Sequence, residues 1–300
     1  MKDAREPMQR IPDRPRRSVL FMPGANRRAL EKARGLPADG LILDLEDAVA
    51  PDAKEAARDN IAAALRQGGY GRRELVLRVN RLDTPWGEAD LGAAAALPLD
   101  AVLLPKVESA AQPRDAVAAL DAAGASPAVA VWCMIETPRG VLAAPEIAAA
   151  SRRVAALVMG TSDLLADLRA RDMPDRLPLL GALQWVLLAA RAAGVAALDG
   201  VHLDLADDAG FAAACAQGRA LGFDGKTLIH PKQIAVANAA FAPAAGEVAQ
   251  ARKIIAAHRE AVAAGNGIVV VDGRLVENLH VAAAERTLAL ADAIEGLERG

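Results

Sequence analysis

Cysteine, aromatic residues and long apolar runs are all scarce in this chain of 300 residues. Its two cysteines, Cys133 and Cys215, cannot build a disulfide framework and lie in no CxxC pair, which favours a reducing compartment. Aromatic residues make up 3% of the chain, so an extended stacking surface for bases or sugars is excluded. No apolar run reaches the roughly 18 residues of a membrane span, and residues 1–15 lack a secretory h-region. We therefore expect a cytoplasmic protein.

The chain also lacks a strong charge of either sign. Its formal net charge of −3 gives no electrostatic reason to expect nucleic acid or a membrane as a partner. Hydrophobic residues make up 53% of the chain, many of them alanine, which is enough for a large core with closely packed helices. The length fits an α/β barrel formed as one domain.

Short apolar runs alternate with longer alanine-rich stretches of helical character, which predicts βαβ units and a parallel sheet. Eight strands are predicted, the number of a TIM barrel. They are Ser18–Met22, Gly40–Leu45, Leu75–Asn80, Ala101–Val107, Ala128–Ile135, Ala155–Met159, Val195–Gly200 and Lys226–Ile229. The helices predicted between them are Arg27–Arg34, Ala53–Gln67, Glu88–Ala96, Gln112–Ala123, Val141–Ala149, Leu179–Ala193 and Asp208–Leu221.

The predicted domain organisation is an N-terminal tail at 1–15, a (β/α)8 catalytic barrel at 16–242 and a C-terminal extension at 243–300. The extension reads as a helix (Glu247–Ala264), a hairpin with an Asp272-Gly273 turn between Ile268–Val271 and Leu275–Val276, and a helix from His280 to Leu297. A C-terminal extension of this kind often covers the open end of a barrel or contacts a neighbouring subunit.

Polar residues follow the predicted strands at their carboxyl ends, where barrel enzymes build active sites. Glu136 closes a buried apolar run. A helix start explains Thr137 and Pro138, which follow it, but does not explain the carboxylate of Glu136. Burying that carboxylate without a partner would be costly, so we expect it to face a cation. Asp163 follows the next strand and also suits the first turn of a helix.

Together, Glu136 and Asp163 predict a two-carboxylate metal site. Magnesium is usually held by one or two carboxylates plus water and substrate oxygens, and the sequence has no Cys/His cluster for zinc. We therefore expect Mg²⁺, with Mn²⁺ as the second choice.

Other strand-end residues have two readings each. Glu46 and Asp47 are either rim acids before a helix or carboxylates that hold metal-bound water. Arg78 either pairs with such an acid or binds a carboxylate or enolate oxygen, and the second reading is favoured. Lys106 and His230 are expected to be structural partners of rim acids, and the role of Asp199 stays open.

Several motifs occur in an order that resembles the citrate lyase beta-subunit-like family. They begin with RSVLFMPG at 17–24 and continue with DLEDAV at 44–49, LRVN at 77–80, LPK at 104–106, IETP at 135–138, GTSDL at 160–164, LDGV at 198–201, GFDGK at 222–226 and IHP at 229–231. The family includes malyl-CoA and citramalyl-CoA lyases and belongs to the HpcH/HpaI aldolase superfamily.

The resemblance implies a magnesium barrel enzyme with the metal on Glu136 and Asp163 and with Arg78 at the reacting acid. It also implies coenzyme A contacts from Phe21, Arg28 and Lys32, and a homo-oligomer, trimer or hexamer. In such relatives a C-terminal acid in a pattern like Val-Asp-x-Pro-His reaches the site of a neighbouring subunit. Here that stretch reads Val-Glu-Asn-Leu-His at 276–280, so Glu277 replaces the aspartate and a leucine replaces the proline.

The expected reaction is cleavage, or formation, of a 3-hydroxyacyl-CoA such as malyl-CoA or citramalyl-CoA, giving an α-keto acid and acetyl-CoA. Arg78, Glu277, Glu46 and Asp47 are the catalytic candidates. A malyl-CoA-type thioesterase is the first alternative, because the longer Glu277 displaces the acid. A citrate lyase beta subunit acting on an acyl-carrier-protein thioester is the second. A non-catalytic scaffold is the third, and the intact metal and arginine set argues against it.

Overall fold

A computed structural model describes residues 14–263 and 269–299. Eight parallel strands form one closed barrel in chain order, with the eighth pairing to the first. The strands are β1 (Ser18–Pro23), β2 (Gly40–Asp44), β3 (Glu74–Arg78), β4 (Ala101–Leu104), β5 (Ala130–Ile135), β6 (Val154–Met159), β7 (Ala196–Asp199) and β8 (Gly225–Leu228). The predicted (β/α)8 barrel is confirmed, and every predicted strand overlaps an observed one.

The helices of the barrel are α1 (Arg27–Ala33), α2 (Lys54–Gln67), α3 (Gly87–Ala95), α4 (Ala111–Ala122), α5 (Pro138–Leu142), α6 (Ala144–Ala148), α7 (Thr161–Leu168), α8 (Leu180–Ala193), α9 (Asp208–Leu221) and α10 (Ile234–Phe241). Short 3₁₀ turns lie at Pro51–Ala53, Leu177–Leu179 and Pro231–Gln233. The prediction of one helix at Val141–Ala149 was wrong. The chain makes α5 and α6 instead, because Pro145 cannot donate to a continuing helix.

Alternation along each strand divides the core into two layers. Val19 and Phe21 of β1 face the barrel interior, whereas Leu20 and Met22 pack against the helices. The helices pack on this outer layer through apolar stripes at helical spacing. In α2 the buried residues of the stripe include Ala57, Ile61, Ala64 and Leu65. A fully buried leucine or isoleucine side chain, such as that of Ile61, stabilises the fold by about 1.5–3 kcal/mol.

Side chains fill the amino-terminal end of the barrel. Arg16 donates two hydrogen bonds to Glu74 at 2.6 and 2.8 Å, and its guanidinium lies 5.3 Å from the ring centre of Trp132. Trp132 is itself completely buried in the interior layer. The cavity described below therefore lies at the opposite, carboxyl end of the strands.

The residues after Phe241 form a second compact unit. It contains α11 (Ala245–Ala263), the antiparallel pair β9 (Val269–Val271) and β10 (Arg274–Val276), and α12 (Asn278–Glu298). Asp272 and Gly273 both have positive φ, at 49° and 76°, as a two-residue hairpin turn requires. The predicted helix–hairpin–helix is confirmed, although the predicted ends at residues 264 and 268 and the tail at 1–13 lie outside the described residues.

None of the described helices combines the length and the apolar character that crossing a bilayer requires.

Candidate active site

A cavity of about 350 Å³ opens at the carboxyl end of the barrel strands. Val76 and Met134 belong to the interior layer, so Arg78 and Glu136, two positions later, point the same way. Five of the residues predicted from sequence line this cavity, namely Phe21, Asp47, Arg78, Glu136 and Asp163. The structure therefore brings together residues that are separated by up to 142 positions in the chain.

Glu136 is the most deeply buried acid of the cavity wall after Asp44, with 3% of its surface exposed. The backbone N–H of Lys106 donates to its Oε1 at 2.7 Å. Burial raises the pKa of Glu136 to about 8; the Lys106 N–H opposes the shift, and the Asp163 carboxyl adds to it. Without a bound cation, this carboxyl group therefore keeps its proton at neutral pH.

Asp163 faces Glu136 across the cavity wall. It lies in the first turn of α7, and its carboxyl group is close enough to Glu136 for the two to share a hydrogen bond. Its side chain is 43% exposed, and its Oδ2 lies 3.7 Å from the ammonium nitrogen of Lys106. Asp163 therefore lies in the first turn of a helix and also lines the cavity, while its role as a metal ligand stays a prediction.

Gly160 makes the approach of the two carboxyl groups possible. A Cβ atom at this position would lie 2.3 Å from Cβ of Glu136 and 2.4 Å from its Oε2. Real Cβ contacts are essentially never that short. The glycine between β6 and α7 is therefore required by the space that Glu136 occupies, and not by a positive φ.

Arg78 is held by a carboxylate that the sequence analysis did not select. Asp44 accepts from its Nε at 2.7 Å and from its Nη2 at 2.6 Å, and both side chains are buried. Nη1 lies 2.9 Å from Glu46, and the guanidinium stacks 4.8 Å from the ring centre of Phe21. Burial lowers the pKa of Arg78, but Asp44 and Glu46 outweigh it and raise the pKa above its ordinary value.

Glu46 and Asp47 differ in environment although they are adjacent. Glu46 is 8% exposed, and burial raises its pKa against the lowering effect of Arg78. Its Oε1 lies 3.3 Å from the Lys106 ammonium. Asp47 has a side chain that is 59% exposed, lies 3.6 Å from Arg78 and lines the cavity. Glu46 is thus an ion-pair partner of Arg78 and Lys106, and Asp47 is exposed to the solvent of the cavity.

The other predicted contacts belong to other elements of the fold. Arg28 and Lys32 are exposed on α1 and are not part of the cavity wall. Glu277 belongs to the C-terminal unit, where it precedes α12 and its N–H donates to His280 Nδ1 at 3.0 Å. Their roles toward coenzyme A and substrate stay predictions.

Asp199, left open by the sequence, is a structural anchor. It is fully buried and pairs with Lys226 at 2.9 Å and with Arg176 at 2.8 Å. Its carboxylate lies against Gly218 of α9, on the helix side of the barrel wall. His230 likewise caps the turn at Pro231–Gln233, accepting from the Lys232 N–H at 3.1 Å, rather than pairing with a rim acid.

The donor set of the cavity fits a hard divalent cation. Glu136 and Asp163 offer oxygen ligands, and the raised pKa of Glu136 marks a carboxylate that gains from a cation. Among the described residues no group of three or more His, Cys, Asp and Glu side chains could hold a metal. Two carboxylates with water and substrate completing the shell is the arrangement typical of magnesium.

Comparison with known proteins points to one family. Residues 17–231 match the family model described as HpcH/HpaI aldolase/citrate lyase. A (3S)-malyl-CoA thioesterase of Cereibacter sphaeroides strain KD131 is 51% identical over 280 residues, covering 93% of this chain and 96% of that protein. The citrate lyase subunit beta of Escherichia coli K12 is 37% identical over 290 residues, covering 95% and 96%.

Solved structures agree with this assignment. A crystal structure of the Mycobacterium tuberculosis protein CitE in complex with magnesium, acetoacetate and coenzyme A superposes with a TM-score of 0.75 at 34% identity. The match covers 93% of this chain and 99% of the CitE chain. The predicted resemblance and the predicted enzyme class, a lyase of the citrate lyase beta type, are confirmed at the level of the family. The chain belongs to the HpcH/HpaI aldolase/citrate lyase family.

Proposed function

We propose that this protein is a magnesium-dependent enzyme that hydrolyses the coenzyme A thioester of a small 3-hydroxy dicarboxylic acid such as malyl-CoA. The observation that carries the proposal is the placement of Glu136, Asp163 and Arg78 in the wall of one cavity of about 350 Å³. The 51% identity to a (3S)-malyl-CoA thioesterase over almost the whole chain supports hydrolysis over carbon–carbon cleavage.

Glu136 and Asp163 would hold the metal ion, and both magnesium and manganese suit their oxygen ligands. When bound, the metal would supply Lewis-acid stabilisation for negatively charged oxygens of the acyl group. The chain contributes the geometry of the two ligands. Lys106 holds Glu136 through its backbone N–H, and Gly160 leaves the space that Glu136 needs.

Arg78 is the group best placed to stabilise the negative charge that develops on the thioester oxygen. Asp44 occupies its Nε and Nη2, while Nη1 lies 2.9 Å from Glu46 and 3.9 Å from the Met134 sulfur in the cavity wall. A donor fixed in this way needs no reorganisation during the reaction. Phe21 stacks on the guanidinium and restricts it to this position.

The carboxylate of Asp47 is the proposed general base, which orients a water molecule and accepts its proton. Its exposed carboxylate lines the cavity, 3.6 Å from Arg78. The oxygen of the water forms a bond to the thioester carbon, and the carbon–sulfur bond breaks. The coenzyme A thiolate leaves and takes up the proton, so the products are the free dicarboxylic acid and free coenzyme A.

Carbon–carbon cleavage is the second candidate, and family membership favours it. In that reaction the substrate hydroxyl loses its proton, the bond between C2 and C3 of the acyl chain breaks, and Arg78 stabilises the enolate of acetyl-CoA. Glu277 of a second subunit would return the proton to the enolate carbon, which requires a homo-oligomer, proposed to be a trimer or a hexamer. A citrate lyase beta subunit acting on a carrier-protein thioester uses the same chemistry.

Coenzyme A is proposed to enter along the first βα loop. Phe21 lies at the edge of the cavity, and Arg28 and Lys32 are exposed on the helix that follows. Two cations on one exposed helix suit the phosphate groups of coenzyme A. Small α-keto acids such as glyoxylate and pyruvate would occupy the inner part of the cavity when the lyase reaction runs.

The deciding experiment separates the two products. The purified protein is incubated with malyl-CoA, citramalyl-CoA and citryl-CoA, with magnesium or with a chelator, and free thiol and keto acid are both measured. Hydrolysis gives free thiol without keto acid, and the lyase reaction gives keto acid with acetyl-CoA. Absence of turnover of all three, or turnover unaffected by Glu136→Gln and by Asp163→Asn, would refute the proposed function.

A further inference from the structure

Lys106 has an unusual backbone at the edge of the metal-binding pair. It has φ of +50°, a left-handed conformation that non-glycine residues rarely adopt. This conformation directs its N–H to Glu136 Oε1 at 2.7 Å, while the next N–H, that of Val107, donates to the carbonyl of Met134 at 3.1 Å. The strain is therefore held in place by two hydrogen bonds to the end of β5.

The side chain of Lys106 lies among three carboxylates from two segments, the loop after β2 and the first turn of α7. Its ammonium nitrogen is 3.3 Å from Glu46, 3.9 Å from Asp47 and 3.7 Å from Asp163. The side chain is 30% exposed, so water screens it only partly. One of these three carboxylates, Asp163, is a proposed metal ligand.

We propose that Lys106 is the internal counter-ion of the metal-free site and sets the affinity of this protein for magnesium. The ammonium neutralises Asp163 when no metal is bound, and magnesium has to share that ligand or displace the ammonium toward Glu46 and Asp47. A fixed positive charge beside the site weakens cation binding, so the metal can exchange. The backbone of the same residue positions Glu136 in both states. Lys106 is thus a positioning residue, and this inference rests on the proposed metal site.

Three substitutions separate the charge from the backbone. Lys106→Met removes the ammonium and keeps the side-chain length. Lys106→Gly removes the ammonium and favours the left-handed backbone that holds Glu136. Lys106→Arg keeps a positive charge and is the matched control. Magnesium dissociation constants are measured by titration calorimetry, and folding is checked by circular dichroism and thermal melting with and without magnesium.

Lys106→Met and Lys106→Gly are expected to bind magnesium about tenfold more tightly than the parent, and Lys106→Arg to match it. Damage to the site would instead weaken binding, so tightening cannot come from a structural defect. The role of Lys106 alone would be overturned by two results together. Lys106→Gly would bind magnesium no more tightly than the parent, while Glu136→Gln and Asp163→Asn would abolish magnesium binding. Binding that survives Glu136→Gln and Asp163→Asn would overturn the metal site and the role of Lys106 together. That result is distinct from a failure of thioester hydrolysis.

Discussion

Asp44 holds Arg78 by a two-point ion pair, with its oxygens 2.7 and 2.6 Å from Nε and Nη2. The two residues are direct partners in the register between β2 and β3. Backbone pairing therefore sets the position of the guanidinium in the cavity. A change at Asp44 should consequently act on the chemistry although Asp44 is not proposed to touch the reacting atoms.

Asp44→Asn is expected to lower kcat/KM by about a hundredfold, because Arg78 loses the charged carboxylate that binds it at two points and fixes its orientation. The variant should also lose about 3 kcal/mol of unfolding free energy, since a buried charge is left incompletely paired. Steady-state kinetics and urea unfolding measure the two effects. The exposed pair of Asp83 and Arg81 gives the control, and Asp83→Asn should change stability by less than about 1 kcal/mol. Equal effects of the two substitutions would contradict the orienting role of Asp44.

Gly160→Ala is expected to abolish magnesium binding and to lower kcat/KM by about a hundredfold or more, because the new methyl group overlaps Glu136. Gly92→Ala is the matched control. Gly92 lies within α3 with open space where a Cβ would project, so alanine should stabilise that helix by about 0.5–1 kcal/mol. Calorimetric titration with magnesium and thermal melting compare the two. Normal magnesium binding in Gly160→Ala would show that Glu136 can move to accommodate the methyl group, which would contradict the steric requirement for glycine.

The pKa of Glu136 predicts how metal-free stability depends on pH. Its ordinary value of 4.5 applies to the unfolded chain, and burial raises it to about 8 in the folded protein. Between these values the folded state binds more protons than the unfolded state, so the free energy of unfolding falls as pH rises and levels off above about 8. Glu136→Gln cannot titrate and should show a smaller decline in Tm from pH 5 to 8. Magnesium should flatten the decline in the parent protein. Identical pH profiles for parent and variant would exclude the raised pKa.

Asp199→Asn tests the distinction between a structural acid and a site acid. The substitution leaves Lys226 and Arg176 buried with a neutral partner, which should cost about 3–5 kcal/mol of unfolding free energy. Magnesium affinity of the folded protein should not change, because Asp199 faces the helix layer. Chemical unfolding and calorimetry are the measurements. A loss of metal affinity without a loss of stability would assign Asp199 to the site instead.

Mixing variants tests the predicted role of Glu277 in a second subunit. Glu136→Gln and Glu277→Gln are each expected to lose carbon–carbon lyase activity. Unfolding and refolding them together should restore part of it if intact sites form from two chains. Keto acid release is the measurement, and each variant refolded alone is the control. Activity that is not restored, although the mixture reassembles by size-exclusion chromatography, would argue against a shared site.

The barrel was predictable because its signals are local. Apolar strands alternate with helical stretches, and polar side chains follow the strands where a parallel barrel collects them, so Glu136, Asp163 and Arg78 could be selected before any contact was known. The short helix α7 and the division between α5 and α6 were missed, since segments of 5–8 residues carry too few periodic positions.

The partners within the site could not be predicted, because they depend on register and on angles between elements. Asp44 looked like one acid among several until the pairing of β2 with β3 placed it beside Arg78. Asp199 has the same strand-end position, yet it follows the inward-facing Leu198 by one residue and so faces the helices. A shift of one residue along a strand therefore decides whether a carboxylate faces the cavity or the helices.

By itself, the sequence determined the eight-stranded architecture, the helix–hairpin–helix extension and the residue types at the mouth of the barrel. These follow from short-range periodicity, turn chemistry and the cost of burying a charge. The tertiary structure decided which charges neutralise each other, that Gly160 must leave room for Glu136, and that the Lys106 ammonium lies beside Asp163. Those relationships depend on distances of a few ångströms between distant parts of the chain, and such distances exist only after the barrel closes.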